Sequence, residues 1–324
     1  SSPAISETVI MSVRKVSAFV ACVALLCSNN QAVGAQSIVR EQWCASGGDS
    51  PFELLAITGA HQFADGAVWV ADGRAGRILR LEPSRQSFSL AVKTGDGPGE
   101  VRAPGMMAEW RGGGVGVHDA AHGSIEVFDQ AGAFVRRIPI DGQLINVKGF
   151  VSLASGGFIM SGGIAGIEQS IHVFDSTGKR VGGLHALPKT QNPRAGLMVG
   201  GGTLGTEAGS RVYFSQGAPH LIGVVDVRRA RMDTLAQDTR LLQPIGDDFI
   251  VETRENGQPV RSFRWFFPQS PSIHPFGTRL VNTVWLKDEG STIVEVYDKV
   301  SGKRAKLERL ATAYKVLARA RDTA

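Results

Sequence analysis

Asp65-Gly66-Ala67-Val68-Trp69-Val70-Ala71-Asp72 sets a turn pair ahead of five apolar residues and a closing acid. Gly73 to Gly76 turns again, and Arg77-Ile78-Leu79-Arg80-Leu81 follows. An uninterrupted apolar run this short, bounded by turn residues, reads as a strand covered on both faces. The same paragraph recurs along the chain. Gly112-Gly113-Gly114-Val115-Gly116-Val117-His118-Asp119 leads to Ser124-Ile125-Glu126-Val127-Phe128-Asp129, and Gly156 to Ser161 leads to Ile171-His172-Val173-Phe174-Asp175. Ser210 to Ser215 leads to Leu221 to Asp226, and Asn282 to Asp288 leads to Ile293-Val294-Glu295-Val296-Tyr297-Asp298.

The first four copies start 44–54 residues apart, and a longer interval precedes the last. That is the period of a four-stranded propeller blade; helical repeats would carry a 3.6-residue spacing, which is absent. The inner strands are near-continuous apolar runs, the strand Ser124 to Asp129 alternates as an outer strand would, and a β-sandwich gives no reason for five such copies. The expectation is an all-β fold, a six-bladed β-propeller with a short C-terminal helix. Its sixth blade would come from the interval Leu241 to Phe267 and the chain ends, with Gln36 to Trp43 closing the ring against the last blade.

Composition supports this class. The chain has 324 residues, 43% hydrophobic and 20% charged, with 40 glycines and a formal net charge of +5. Disorder is excluded by the apolar fraction, collagen by the lack of a Gly period, and a disulfide scaffold by a total of 3 cysteines.

The N-terminus reads as an address. Met11-Ser12-Val13-Arg14-Lys15 is basic, Val16 to Cys27 is uncharged and mostly apolar, and Val33-Gly34-Ala35 offers small residues for cleavage before Gln36. Residues 1–35 are therefore expected to be a leader and signal peptide, and residues 36–302 the propeller. The protein is expected to be periplasmic or secreted. Cleavage after Ala35 would lower the formal charge to +4 over 289 residues and leave Cys44 as the one thiol. No run in that portion is long enough to span a bilayer as a helix.

Residues 303–324 read as a basic helical tail. Leu307, Leu310, Tyr314 and Leu317 are three and four apart, among seven basic residues between Lys303 and Arg321. The first reading is a helix packed under the propeller or an altered tail, the second a basic amphipathic segment touching anionic lipid or nucleic acid. No nucleic-acid partner is expected, because the rest of the chain carries no comparable basic cluster.

Thr94-Gly95-Asp96-Gly97-Pro98-Gly99-Glu100-Val101-Arg102-Ala103-Pro104 resembles the G-x-GPGEF-x-x-P turn between the first two blades of the family called 6-bladed β-propeller, a relative of the NHL-repeat propellers found in secreted bacterial proteins. Val68 to Asp72, the Val-Phe-Asp-x-x-Gly strand ends at Phe128-Asp129 and Phe174-Asp175, and Val284-Trp285-Leu286 with Val296-Tyr297-Asp298 fit the same resemblance, which spans residues 38–307. The family usually finishes in strand, and the helical reading of the tail departs from it.

Chemistry is harder to find. Gly48-Asp49-Ser50 with Asp119-Ala120-Ala121-His122 mimics an SGNH-hydrolase pairing, yet the serine sits in a turn and the other motif inside a blade. Gly200-Gly201-Gly202-Thr203-Leu204-Gly205 matches G-x-G-x-x-G in form, but no helix follows, so it reads as a loop. His118 and His122 converge on a metal only in a helix, and are read as solvated loop histidines. Asp72, Asp119, Asp129, Asp175, Asp226 and Asp298 each end a strand, where they cap the following turn.

The function expected is a binding or scaffolding module for a protein or small-molecule ligand, with no catalytic or metal residues assigned. Its candidate ligand contacts, at one mouth of the channel, are Asp72, Arg74, Arg77, His118 and Asp119. The alternative is a lactonase-like hydrolase whose one cofactor is calcium. The Ser-Pro-Asp-Gly signature of gluconolactonase-like propellers and the channel histidines of NHL-type lyases are not found.

Overall fold

Short strands with both faces apolar bury themselves only by stacking sheet on sheet, and here the sheets stack radially. The structure, a computed structural model, describes residues 51–82, 87–187, 196–197, 200–207, 211–217, 219–238, 250–255, 258–263, 269–286 and 290–310, together with the strand segments 8–14, 20–26, 39–45 and 314–319. Strands β1 (Thr8–Arg14), β2 (Val20–Leu26) and β3 (Val39–Ala45) come first.

Five antiparallel sheets, each of four consecutive strands, form the blades. Blade one is β4 (Ile57–Gln62), β5 (Val68–Asp72), β6 (Arg77–Glu82) and β7 (Ser87–Val92). Blade two is β8 (Pro104–Glu109), β9 (Val115–Asp119), β10 (Ser124–Phe128) and β11 (Phe134–Pro139). Blade three is β12 (Leu144–Ser152), β13 (Phe158–Ile164), β14 (Gln169–Phe174) and β15 (Arg180–Ala186). Blade four is β16 (Thr203–Glu207), β17 (Arg211–Gly217), β18 (His220–Asp226) and β19 (Arg231–Gln237). A separate hairpin, β20 (Ile250–Glu255) with β21 (Gln258–Phe263), precedes blade five: β22 (Gln269–Phe276), β23 (Arg279–Leu286), β24 (Ser291–Asp298) and β25 (Arg304–Leu310). Finally β26 (Tyr314–Arg319) heads a sheet of order β26-β1-β2-β3.

The first strands of the blades pack in series, β4 on β8, β8 on β12, β12 on β16 and β16 on β22, and β26 touches both β22 and β4. Glycine makes this approach close enough. A Cβ on Gly59 would run into the Gly105 carbonyl, and one on Gly205 into the Ile273 carbonyl, each on the first strand of the next blade.

The core consists of the layers between blades. Phe63, Trp69, Ile78, Val115 and Phe128 fill the space between blades one and two, with Trp69 edge-on to Phe63 and Phe128 at 5.2 Å each. Trp110, Phe150, Phe158 and Phe174 lie between blades two and three. Ile159, Ile171, Val212 and Phe214 separate blades three and four, and Tyr213, Ile273, Leu280 and Tyr297 separate blades four and five.

Several expectations are corrected. Among the described residues there are five blades of consecutive strands rather than six. Residues 39–45 pair with β2 and not with the last blade, and the 250–263 hairpin stands outside the blades. Among the described residues there is almost no helix, and none at the C-terminus: residues 304–310 are the outer strand of blade five, and 314–319 are strand as well. The open edge of β24 offers a row of backbone partners, and that pairing outweighs the weak local preference of a three-and-four spacing. Residues 203–205, expected in a loop, belong to the first strand of blade four, Thr203–Glu207. Ser124–Phe128 is the third strand of its blade and is buried throughout, so its alternation does not mark a wet face.

Candidate functional site

In an antiparallel four-stranded blade, the hairpin after the second strand and the connection to the next blade emerge on one face. The candidates Asp72, Arg74, Arg77, His118 and Asp119 lie on that face, at the second-to-third-strand hairpins of blades one and two.

The two aspartates are equivalent, and neither reaches solvent. Asp72 Oδ2 accepts the Leu55 N–H at 3.1 Å and Oδ1 the Ala56 N–H at 2.9 Å. Asp119 Oδ2 accepts the Arg102 N–H at 2.8 Å and Oδ1 the Ala103 N–H at 3.0 Å. Each also caps its own turn, Asp72 at the Ala75 N–H and Asp119 at those of Ala121 and His122. They therefore pin the chain where it enters a blade. Asp129, Asp175, Asp226 and Asp298 cap the turns that follow them in the same way.

Arg77 Nη2 donates to the Glu53 carbonyl at 2.5 Å, lies 3.5 Å from Asp72 Oδ2, and sits over the Phe52 ring. Arg74 is exposed. His118 is buried, and burial pushes its imidazole down to about 4. The five candidates thus share a face without converging: two are buried pins, one a buried histidine, Arg77 is folded onto Glu53, Asp72 and Phe52, and Arg74 alone of the five is exposed.

The grouping the sequence reading missed lies beside them. His122, read as a solvated loop residue, is 12% exposed at its side chain, with Nδ1 2.9 Å from Asp119 Oδ2 and Nε2 2.9 Å from Asp96 Oδ1. Arg102 also binds the Asp96 carboxylate. The Arg102 and His122 hydrogen bonds hold that carboxyl down at about 2. Arg137 Nε donates to the buried Glu126 at 2.5 Å, while its other nitrogens reach the Asp96, Gly97 and Glu100 carbonyls. Glu100 in turn accepts the Gly97 N–H and pairs with Lys93. The Gly-Pro-Gly-Glu turn and the Asp-x-x-His pair were visible as motifs; that they meet was not.

A second polar cluster joins blades four and five. The fully buried Glu295 takes His220 Nε2 at 2.8 Å and Asn282 Nδ2 at 3.0 Å on Oε2, and the Tyr297 hydroxyl at 2.9 Å and Arg304 Nη1 at 3.1 Å on Oε1. Burial alone would raise its carboxyl, but the His220, Asn282 and Tyr297 donors outweigh it and hold the group below its ordinary range. Burial and the Glu295 carboxylate push the Tyr297 phenol up. Arg304 also binds Asp238 at 2.8 Å, past the last strand of blade four.

The remaining motifs do not build a site. Gly48-Asp49-Ser50 lies outside the described residues. Gly201 and Gly202 pack against the Gly162 and Ser215 backbones ahead of β16, with no helix following. Among the described residues no three of His, Cys, Asp and Glu are grouped to hold a metal ion, and no helix is long and apolar enough to cross a membrane.

No family model matches the chain, and no curated protein matches it. Solved structures do. A protein of unknown function from Bacteroides caccae aligns with a TM-score of 0.57 at 7% identity, over 98% of both chains. A "Putative exported protein" from Bacteroides fragilis aligns with a TM-score of 0.54 at 10% identity, over 79% of this chain and 71% of that one. The WD40 repeats of RRP9 align with a TM-score of 0.52 at 14% identity, over 80% of this chain. The chain spans 64% of the RRP9 structure and 65% of that of U3-55K, under two thirds of either. These likenesses show an all-β propeller fold. Membership of the 6-bladed family is not shown by them.

Proposed function

We propose that the chain is an exported β-propeller that binds a protein or small-molecule ligand on the face carrying the second-to-third-strand hairpins of blades one and two. The observation that carries this reading is the division of labour at that face. Asp72 and Asp119 are buried and fix the backbone, while Arg74 and the 55%-exposed Arg102 are held out on the pinned segments. A rigid scaffold that presents cationic side chains from short loops suits recognition. The ring is completed, in this proposal, by a sixth sector. Contact of β26 with both β22 and β4 supports it, as do the Gly-Pro-Gly-Glu turn and its resemblance to the 6-bladed family.

Export rests on the leader-like residues 11–35, and the likeness to the Bacteroides fragilis protein agrees with it. The proposal has a structural consequence, because β1 and β2 lie within residues 1–35. Cleavage after Ala35 removes both strands from the sheet, leaving β26 without β1 and β3 without β2. N-terminal sequencing of the exported protein decides the point. A start at Gln36 supports export with cleavage, and retention of residues 8–26 overturns it.

The binding reading is tested by comparing the chain with its Arg74→Glu/Arg102→Glu variant for retention of periplasmic components on immobilised protein. Retention lost in the double variant at an unchanged melting temperature supports the reading, and equal retention removes this face from it. Titration with calcium and then chelator addresses the lactonase-like alternative. The melting temperature is expected to stay constant, and a rise with calcium would favour the enzyme.

A further inference from the structure

The loop at residues 94–102 brings its own acid, Asp96, to Arg102 and His122. Asp119 is buried and fixed by backbone N–H donors, so its contact with His122 Nδ1 sets the ring in one orientation, with Nε2 toward the 94–102 loop. That arrangement fixes an imidazole as the carboxylate partners of functional histidines do. Nε2 meets Asp96, whose side chain is 62% exposed and is also taken by Arg102, itself 55% exposed. The Asp96 carboxylate only accepts, so the Nε2 that faces it carries the hydrogen of that contact. Arg137 flanks the ring at 3.4 Å from Nδ1 and anchors the loop through the Asp96, Gly97 and Glu100 carbonyls, so the loop has holds besides the Asp96 side chain.

We propose that Arg102 and His122 Nε2 form a carboxylate-binding position on this face, filled in the free protein by Asp96 and by an external carboxylate when a ligand binds. The inference rests on the reading of this face as the binding surface and gives it a ligand chemistry. A planar anion with two oxygens matches a guanidinium and an imidazole N–H, as Asp96 itself demonstrates. Because Asp96 is exposed and its loop is tied down by backbone contacts, the side chain can swing out while the loop stays. An exposed ion pair is weak enough to be displaced.

The test uses succinate as the probe, with chloride at equal ionic strength as the control. Binding is followed by the His122 ring signal in NMR, assigned with a His122→Gln variant. Removing an internal competitor that fills the position nine parts in ten strengthens apparent binding about tenfold. The Asp96→Ala chain is therefore expected to bind succinate about tenfold more tightly than the parent, with a moved His122 ring signal. Asp96→Ala/Arg102→Ala is expected to lose that gain. Equal affinity in the parent and Asp96→Ala chains overturns the inference. So does a gain that leaves the His122 ring unmoved. If the ring is silent while backbone signals at residues 73–77 shift, this inference falls and the binding face stands. Silence at both removes both. Equal melting temperatures certify the folding of the variants.

Discussion

Replacing Glu295 by glutamine keeps the volume between blades four and five but changes what the position accepts. The carboxylate takes four donors, two on each oxygen. A glutamine amide can keep one pair and turns an NH2 toward the other. Either His220 Nε2 and Asn282, or Tyr297 and Arg304, then face a donor. Each buried donor left unsatisfied costs about 1–3 kcal/mol, and breaking a buried charged cluster from one side typically costs roughly 3–5 kcal/mol. Arg304 retains Asp238, which trims the loss. The expected destabilisation is about 4 kcal/mol, a large part of the roughly 5–15 kcal/mol that holds a domain together. Urea unfolding at pH 7, followed by tryptophan fluorescence, measures it as a lowered midpoint at constant slope. Asp141→Asn, at an exposed position, serves as the control and should stay within about 0.5 kcal/mol. A loss below about 1 kcal/mol for Glu295→Gln would refute the view that this carboxylate locks the two blades.

Acid should weaken the fold before the carboxylates titrate. His118 and His172 are both pushed down to about 4 by burial, so between pH 6.5 and 4 the unfolded chain takes protons that the folded chain refuses, and stability falls with pH. Each contributes up to about 3 kcal/mol over that window, and His118→Gln and His172→Gln should flatten the profile of unfolding midpoint against pH. Below the ordinary glutamate range, the depressed carboxyl of Glu295 adds a further loss as it is finally protonated. Gly205→Ala should cost at least about 2 kcal/mol, because its Cβ meets the Ile273 carbonyl, whereas Gly182→Ala, with open space around it, should leave the midpoint unchanged. Asp119→Ala strands the Arg102 and Ala103 N–H groups and should cost about 2–3 kcal/mol; limited proteolysis should then cut the 94–102 loop faster than in the parent, and equal cutting would argue against the pin.

The repeat was legible because a blade writes its second strand as a continuous apolar run. Val68–Asp72 and Val115–Asp119 are buried at every position, and each ends in an acid with a local turn to cap. What escaped were polar residues whose partners lie far along the chain. Glu126 in Ser-Ile-Glu-Val-Phe reads as the wet side of an alternating strand, yet the third strand of a blade is covered on both faces, and Arg137 from the fourth strand meets it. Glu295 in Val-Glu-Val-Tyr follows the same rule, with His220 lying 75 residues away. A single acid inside a third strand is thus a mark of a buried ion cluster, a signal present in the sequence once the blade is known. The tail misled for the opposite reason: Leu307 and Leu310 carry a helical spacing, but an outer strand needs only one partner edge, and β24 supplies it. Among the candidate site residues, the shared face followed from topology alone. The Asp96–His122 contact depends on the path of a loop, which spacing does not encode.

The radial arrangement is tested most directly by spin-label distances among three exposed outer-strand positions, Leu90 in blade one, Val181 in blade three and Leu307 in blade five. A ring of five blades with the sheet headed by β26 in the remaining sector puts these positions at the corners of a near-equilateral triangle, so the three distances should be closely similar. A 90–307 distance clearly shorter than the other two would mean that blade five abuts blade one with no sector between them, and three positions nearly in line would contradict the ring itself.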